Sequence, residues 1–153
     1  MSKKAKLSLA IAGVIVLASG EMIVSNKNSS YVDGKYVAEG KEFDNRGWKP
    51  ILEITVEDKK IVDVVFDYVT KEGKLKTEDV QYNNTMLSAA DCSPTIFTKE
   101  FAVELIIEQN VDDFDGTSGA TTSAKDFVQM SEKLLSNAKS GKTDKEIIEG
   151  ASH

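Results

Sequence analysis

The chain has 153 residues, 41% hydrophobic and 29% charged side chains, and a net charge of -6, enough for one domain with its own core. The acidic balance and the lack of a basic stripe beyond residue 35 argue against nucleic acid as a partner, because a phosphate backbone is held by a Lys/Arg surface. One cysteine, Cys92, and one histidine, the terminal His153, exclude an intramolecular disulfide, Cys- or His-rich metal sites and a well-held Ser-His-Asp triad. Neither metal ligands nor catalytic residues are assigned.

Residues 1–24 read as a signal peptide or an N-terminal membrane anchor. Lys3, Lys4 and Lys6 precede the uncharged LSLAIAGVIVLASG of residues 7–20, the order of regions in an export signal. Ala18 and Gly20 supply small residues for a cut before Glu21. Met22, Ile23 and Val24 extend the apolar run and suit an uncleaved anchor. A lipoprotein signal needs cysteine where Glu21 stands. The globular part is therefore expected to be exported, extracellular or associated with the outer face of the cytoplasmic membrane. The polar SNKNSS of residues 25–30 reads as a linker.

The domain is expected over residues 31–138, with a flexible tail at 139–153. DGKYVAEGKEF alternates weakly and reads as a first strand, broken by NRGWKP with its turn formers Gly47 and Pro50. In ILEITVED, Leu52, Ile54 and Val56 share one face. IVDVVFDYV is β-branched and aromatic; Val62, Val64, Phe66 and Tyr68 share one face, and Ile61, Asp63, Val65, Asp67 and Val69 the other. The short DKK between these runs makes them an antiparallel hairpin. TEDVQYNNTMLSAA and TKEFAVELIIEQN then read as helices capped by Thr77 and Thr98. TTSAKDFVQMSEKLLSNAK is a third, with Phe127, Met130, Leu134 and Leu135 as its apolar stripe. Strands followed by helices predict an α+β fold, a small antiparallel sheet of a hairpin plus an N-terminal strand packed on about three helices.

The third helix is preceded by DGTSGATTS, residues 115–123, dense in small hydroxyl residues and glycine. Cap chemistry explains such a run, since Ser, Thr and Asp accept orphan backbone N–H groups at a helix start. The same position also favours phosphate, which meets free N–H groups and the positive end of the helix dipole. The spacing is neither that of a P-loop nor of a dinucleotide fingerprint. A helix cap and a phosphate-friendly turn that presents its own hydroxyl outward are the two readings left.

Residues Asp115, Gly116, Thr117, Ser118, Gly119, Ala120 and Thr121 resemble the D-x-x-[S/T]-G-A-[T/S] signature of FMN-binding domains, found in flavin subunits of sodium-pumping quinone reductase and Rnf complexes and in extracellular flavoproteins of Gram-positive bacteria. YVDGKYVAEG and GWKPILEITVEDKKIVDVVFDYV resemble that family's opening strand, turn and hairpin. YNNTM and SPTIF resemble its secreted Gram-positive branch. The resemblance implies FMN joined by a phosphoester to Thr121, installed by an exported, Mg-dependent flavin transferase with FAD as donor. Asp115, Gly116, Ser118, Gly119 and Ala120 become the recognition frame, and Thr122 a neighbouring hydroxyl able to compete for the attachment or to start the helix.

Such a chain is an electron carrier that takes electrons from a membrane electron donor and passes them to another flavoprotein, a quinone-linked complex or an extracellular acceptor, rather than a self-sufficient enzyme. The isoalloxazine is expected against Trp48, in an exposed turn made by Gly47 and Pro50, and beside Tyr82 and Met86, one helical turn apart. Arg46 and Lys49 are candidate partners for phosphate or for reduced flavin, and Cys92 reads as a buried thiol. The alternative is a non-redox secreted module, or a domain binding FMN non-covalently.

Overall fold

A computed structural model describes residues 30–151. The expected signal or anchor at 1–24 and most of the linker lie outside the described residues. Among the described residues the order is β1 (Gly34–Gly40), β2 (Lys49–Glu57), β3 (Lys60–Val69), a 3-10 turn (Lys76–Glu78), α1 (Val80–Ala90), α2 (Pro94–Glu108), α3 (Thr121–Ser140) and β4 (Glu146–Ile148). The sheet runs β3-β2-β1-β4, and the fold is α+β with the sheet packed on helices.

Alternation puts Leu52, Ile54 and Val56 of β2, Tyr36 and Ala38 of β1, and Val64, Phe66 and Tyr68 of β3 into the core. Ile61 joins them, fully buried, instead of facing out with Asp63. The cause is a bulge: Thr55 pairs with Asp63 but Val56 pairs with Ile61, so Val62 is an extra residue that resets the phase. Against this face the helices set an aromatic cluster. Phe127 of α3 lies 5.1 Å from Phe66 and 5.4 Å from Phe101 of α2, and Phe114 lies 5.1 Å from Phe101. Burying each ring stabilises the fold by roughly 1.5–3 kcal/mol.

Residues 139–151 do not form the flexible tail expected over 139–153. Residues to Ser140 complete α3, and β4 adds a parallel strand to the sheet edge, with Ala38, Glu39 and Gly40 opposite Glu146, Ile147 and Ile148. Burial of Ile148 and Ala151 and ion pairs Lys145–Glu39 (2.8 Å) and Lys41–Glu149 (2.7 Å) hold it there. The helix caps also differ. Asp79 caps α1 by accepting the Tyr82 N–H at 3.0 Å, while the Thr77 hydroxyl donates to Asp67. Helix α2 starts one turn early, at Pro94 with Ser93 before it, and the Thr98 hydroxyl donates back to the Pro94 carbonyl.

Candidate functional site

The start of α3 is one of the helix ends without a side-chain cap. Its N-cap position is Ala120, and no side chain caps it. The Ala124 N–H donates to the Ala120 carbonyl at 2.9 Å, but the N–H groups of Thr121, Thr122 and Ser123 have no helical carbonyl to meet. The expected capping role of Thr122 and Ser123 is not realised: Ser123 Oγ lies 3.1 Å from the Tyr68 hydroxyl instead. Thr121 and Thr122 are exposed.

The loop before this helix is held from α2. The Asp115 N–H donates to Glu104 Oε1 at 2.9 Å, and the Thr117 hydroxyl donates to Glu100. Gly119 has φ +87°, and a Cβ there would sit 3.2 Å from the Ala90 carbonyl oxygen. Only glycine allows that backbone and that approach at once. It brings the end of α1 against the loop and leaves Thr121 at the mouth of a cavity.

That cavity has a volume of about 530 Å³, within the range of small-molecule and cofactor sites. Its lining comes from Asp44, Asn45 and Arg46 before β2, Tyr68 of β3, Lys76, Tyr82 and Met86 around α1, and Gly119, Ala120, Thr121, Thr122, Ser123 and Asp126 at the start of α3. The lining combines the cations Arg46 and Lys76, the carboxylates Asp44 and Asp126, the first turn of α3, and the rings and thioether of Tyr68, Tyr82 and Met86. Tyr68 donates to Asp126 Oδ2 at 2.7 Å. Burial, and then the Asp126 charge, push its phenol well above the usual tyrosine range, so it stays a donor at physiological pH.

Of the residues expected at the flavin, Gly119, Ala120, Thr121, Thr122, Tyr82 and Met86 therefore meet at one cavity. Asp115, Gly116 and Ser118 belong to the loop that leads into it and are not in its lining. Gly47, Trp48 and Pro50 form no exposed turn around the tryptophan. Asp44 Oδ1 accepts the Arg46 and Trp48 N–H groups at 2.8 and 2.9 Å, and this folded turn buries Trp48 to 6% exposure. Its ring lies behind the lining, 5.6 Å from Lys76 Nζ. Pro50 is buried in β2, and Lys49 pairs with Glu39 at 3.6 Å rather than reaching the cavity. Cys92 is buried.

No protein-family model matches the sequence. The "15 kDa lipoprotein" of Treponema pallidum (strain Nichols) is 37% identical over 120 residues, 78% of this chain and 84% of that protein. The chain belongs to this lipoprotein's family. A protein from Clostridium perfringens, known from its crystal structure, superposes with a TM-score of 0.74 at 32% identity, over 78% of this chain and 98% of that one. The sheet and helices of this 15 kDa lipoprotein family member are thus those of a solved fold.

Five lining residues of the family member were not assigned to the site by the sequence reading: Asp44, Asn45, Tyr68, Lys76 and Asp126. Asp126 falls on the buried side of α3, one turn beyond Thr122, a position that helical phasing identifies once the helix start is known. Lys76 carried no signal, as one of several lysines in a polar connection. The Val69–Leu75 bridge folds that connection back and sets Lys76 against the cavity.

Proposed function

We propose that the chain is an exported flavoprotein electron carrier with FMN joined through a phosphoester to Thr121. The observation that carries this reading is the Thr121 hydroxyl at an uncapped helix start, on the rim of a cavity large enough for a cofactor. The residues fit the group. The N–H groups of the first turn of α3 and the Arg46 guanidinium suit a phosphate, and Tyr82 and Met86 suit a planar ring. Attachment follows from FAD: Thr121 Oγ bonds to the phosphorus of the FMN half, the phosphoanhydride breaks, AMP leaves and the hydroxyl proton is lost. The Mg²⁺ belongs to the flavin transferase. When bound, FMN supplies the redox chemistry. The chain's own part is to hold the phosphate at α3, border the ring and keep the Tyr68 hydroxyl protonated beside it.

The signal-like residues 1–24 and the lipoprotein name of the relative support an exported or membrane-anchored protein. We place it on the outer face of the cytoplasmic membrane, where a covalent tether keeps the cofactor from dilution, and where a membrane donor supplies electrons that pass on to a second flavoprotein or another acceptor. Anchoring by residues 1–24 is favoured over a lipid, since Glu21 stands at the lipid-bearing position.

The test is coexpression with a flavin transferase and FAD, followed by a denaturing gel viewed for flavin fluorescence. The wild-type and Thr122→Val bands should fluoresce and the Thr121→Val band should be dark. A dark wild-type band sinks the reading and leaves a non-redox or non-covalent module.

A further inference from the structure

Lys76 lines the cavity with only 8% of its surface exposed. Its ammonium is enclosed by aromatic faces: Nζ lies 4.6 Å from the Tyr68 ring centroid, 4.7 Å from that of Tyr82 and 5.6 Å from that of Trp48. Among the described residues no carboxylate forms an ion pair with it. A buried cation without an anion is costly, and aromatic faces offset only part of that cost. The fold nevertheless fixes the cation in place. Asn83 Nδ2 donates to the Lys76 carbonyl at 2.9 Å, and the next residue, Thr77, donates its hydroxyl to Asp67 Oδ2 at 2.6 Å. Asn83 Oδ1 in turn accepts the Thr95 N–H at 3.0 Å, tying the 3-10 turn to α2. A rigidly held, partner-poor ammonium on a cavity wall is a ready site for a ligand's negative charge.

We propose that Lys76 is the positioning residue for the charge-bearing edge of the flavin ring, and thereby sets its reduction potential. This rests on the FMN reading above. The phosphate already has the first-turn N–H groups of α3, whereas Lys76 sits among the rings of Tyr68, Tyr82 and Trp48. Reduction of the oxidised ring takes two electrons from the donor and, with one proton bound at N5, leaves a negative charge on the N1–C2=O edge. An ammonium at that edge favours the charged reduced form and removes the need for a second proton.

The experiment compares flavinylated wild type, Lys76→Met, Lys76→Gln and Lys76→Arg, each checked by intact mass and titrated with dithionite across pH 6–9. The neutral variants should hold the reduced form about tenfold less well at pH 7, a potential ~30 mV lower for a two-electron couple. At the acid end of that range they should take up a second proton per two electrons where wild type and Lys76→Arg take up only one. Two neutral variants guard against poor folding of either. Flavinylated variants with wild-type potential and proton uptake overturn the assignment of Lys76 while leaving the FMN reading intact. Reduced flavin loading with an unchanged potential in the loaded fraction also overturns it, by giving Lys76 to the phosphate. A wild type without the flavin mass overturns both readings.

Discussion

At Gly119 one backbone angle decides where the proposed acceptor stands. A Cβ built on the φ of +87° would lie 3.2 Å from the Ala90 carbonyl oxygen, so α1 would have to give way by a few tenths of an ångström. Gly119→Ala should destabilise the domain by about 1–2 kcal/mol through αL strain and displacement of α1. It should also slow flavin loading, because the first turn of α3 moves with the loop. Urea unfolding and the time course of flavin fluorescence measure the two effects; an alanine variant with wild-type stability and loading contradicts this role. The motif was readable because its parts are contiguous: a glycine and a hydroxyl cluster ahead of an amphipathic helix is a local pattern. Lys76 and Asp44 were not readable, since their importance comes from being folded beside residues far along the chain. Trp48 was misplaced for a related reason. Gly47 and Pro50 mark a turn, but only the Asp44 side chain, accepting two N–H groups, decides that the turn points its ring inward.

At the scale of elements, Gln109 joins α2 to the bulged strand. It ends α2 in the left-handed region, φ 62°, fully buried. Its side chain accepts the Ile61 N–H at 2.8 Å and donates to the Ile61 carbonyl at 2.9 Å, and its own carbonyl accepts the Tyr31 hydroxyl at 2.6 Å. Gln109→Ala strands both Ile61 groups in the core and should cost about 3 kcal/mol, read as a lower urea midpoint. A loss below about 1 kcal/mol would show that the bulge is held by the sheet alone.

The edge strand β4 carries a pH prediction. Burial raises the Glu39 carboxyl, but the Lys145 hydrogen bond and the Lys49 and Lys145 charges outweigh it, and its net shift is downward from 4.5. Glu146, bonded by Asn137 and Lys142, and Glu149, bonded by Lys41, are lowered as well. Carboxyls lowered in the folded state add stability that is complete above their unfolded values and is lost as pH falls through the lowered folded ones. Amide protection at 146–148, corrected for intrinsic exchange, should therefore drop below about pH 4.5, before the protection of β2 and β3 does. Parallel loss in all strands would contradict a separately clipped edge. The hairpin and helices were legible because their periods repeat over many residues. β4 was not, being three residues long in a polar stretch, with a partner strand more than a hundred positions away. The helix caps slipped because Thr77 and Thr98 have tertiary or back-bonded partners that a local cap rule does not see.

For the whole molecule, membership of the 15 kDa lipoprotein's family and a solved fold at 32% identity establish the scaffold. Under the flavin proposal the domain would bind and orient while the cofactor reacts. The cavity is built from helix ends, loops, one side of α1 and Tyr68 of β3, next to the buried core. The most direct measurement is the intact mass of the native protein after coexpression with a flavin transferase, followed by fragmentation of the peptide that spans residues 115–125. The account predicts a gain of one FMN less one water, located on Thr121. An unmodified mass, with FAD and an active transferase present, would contradict it.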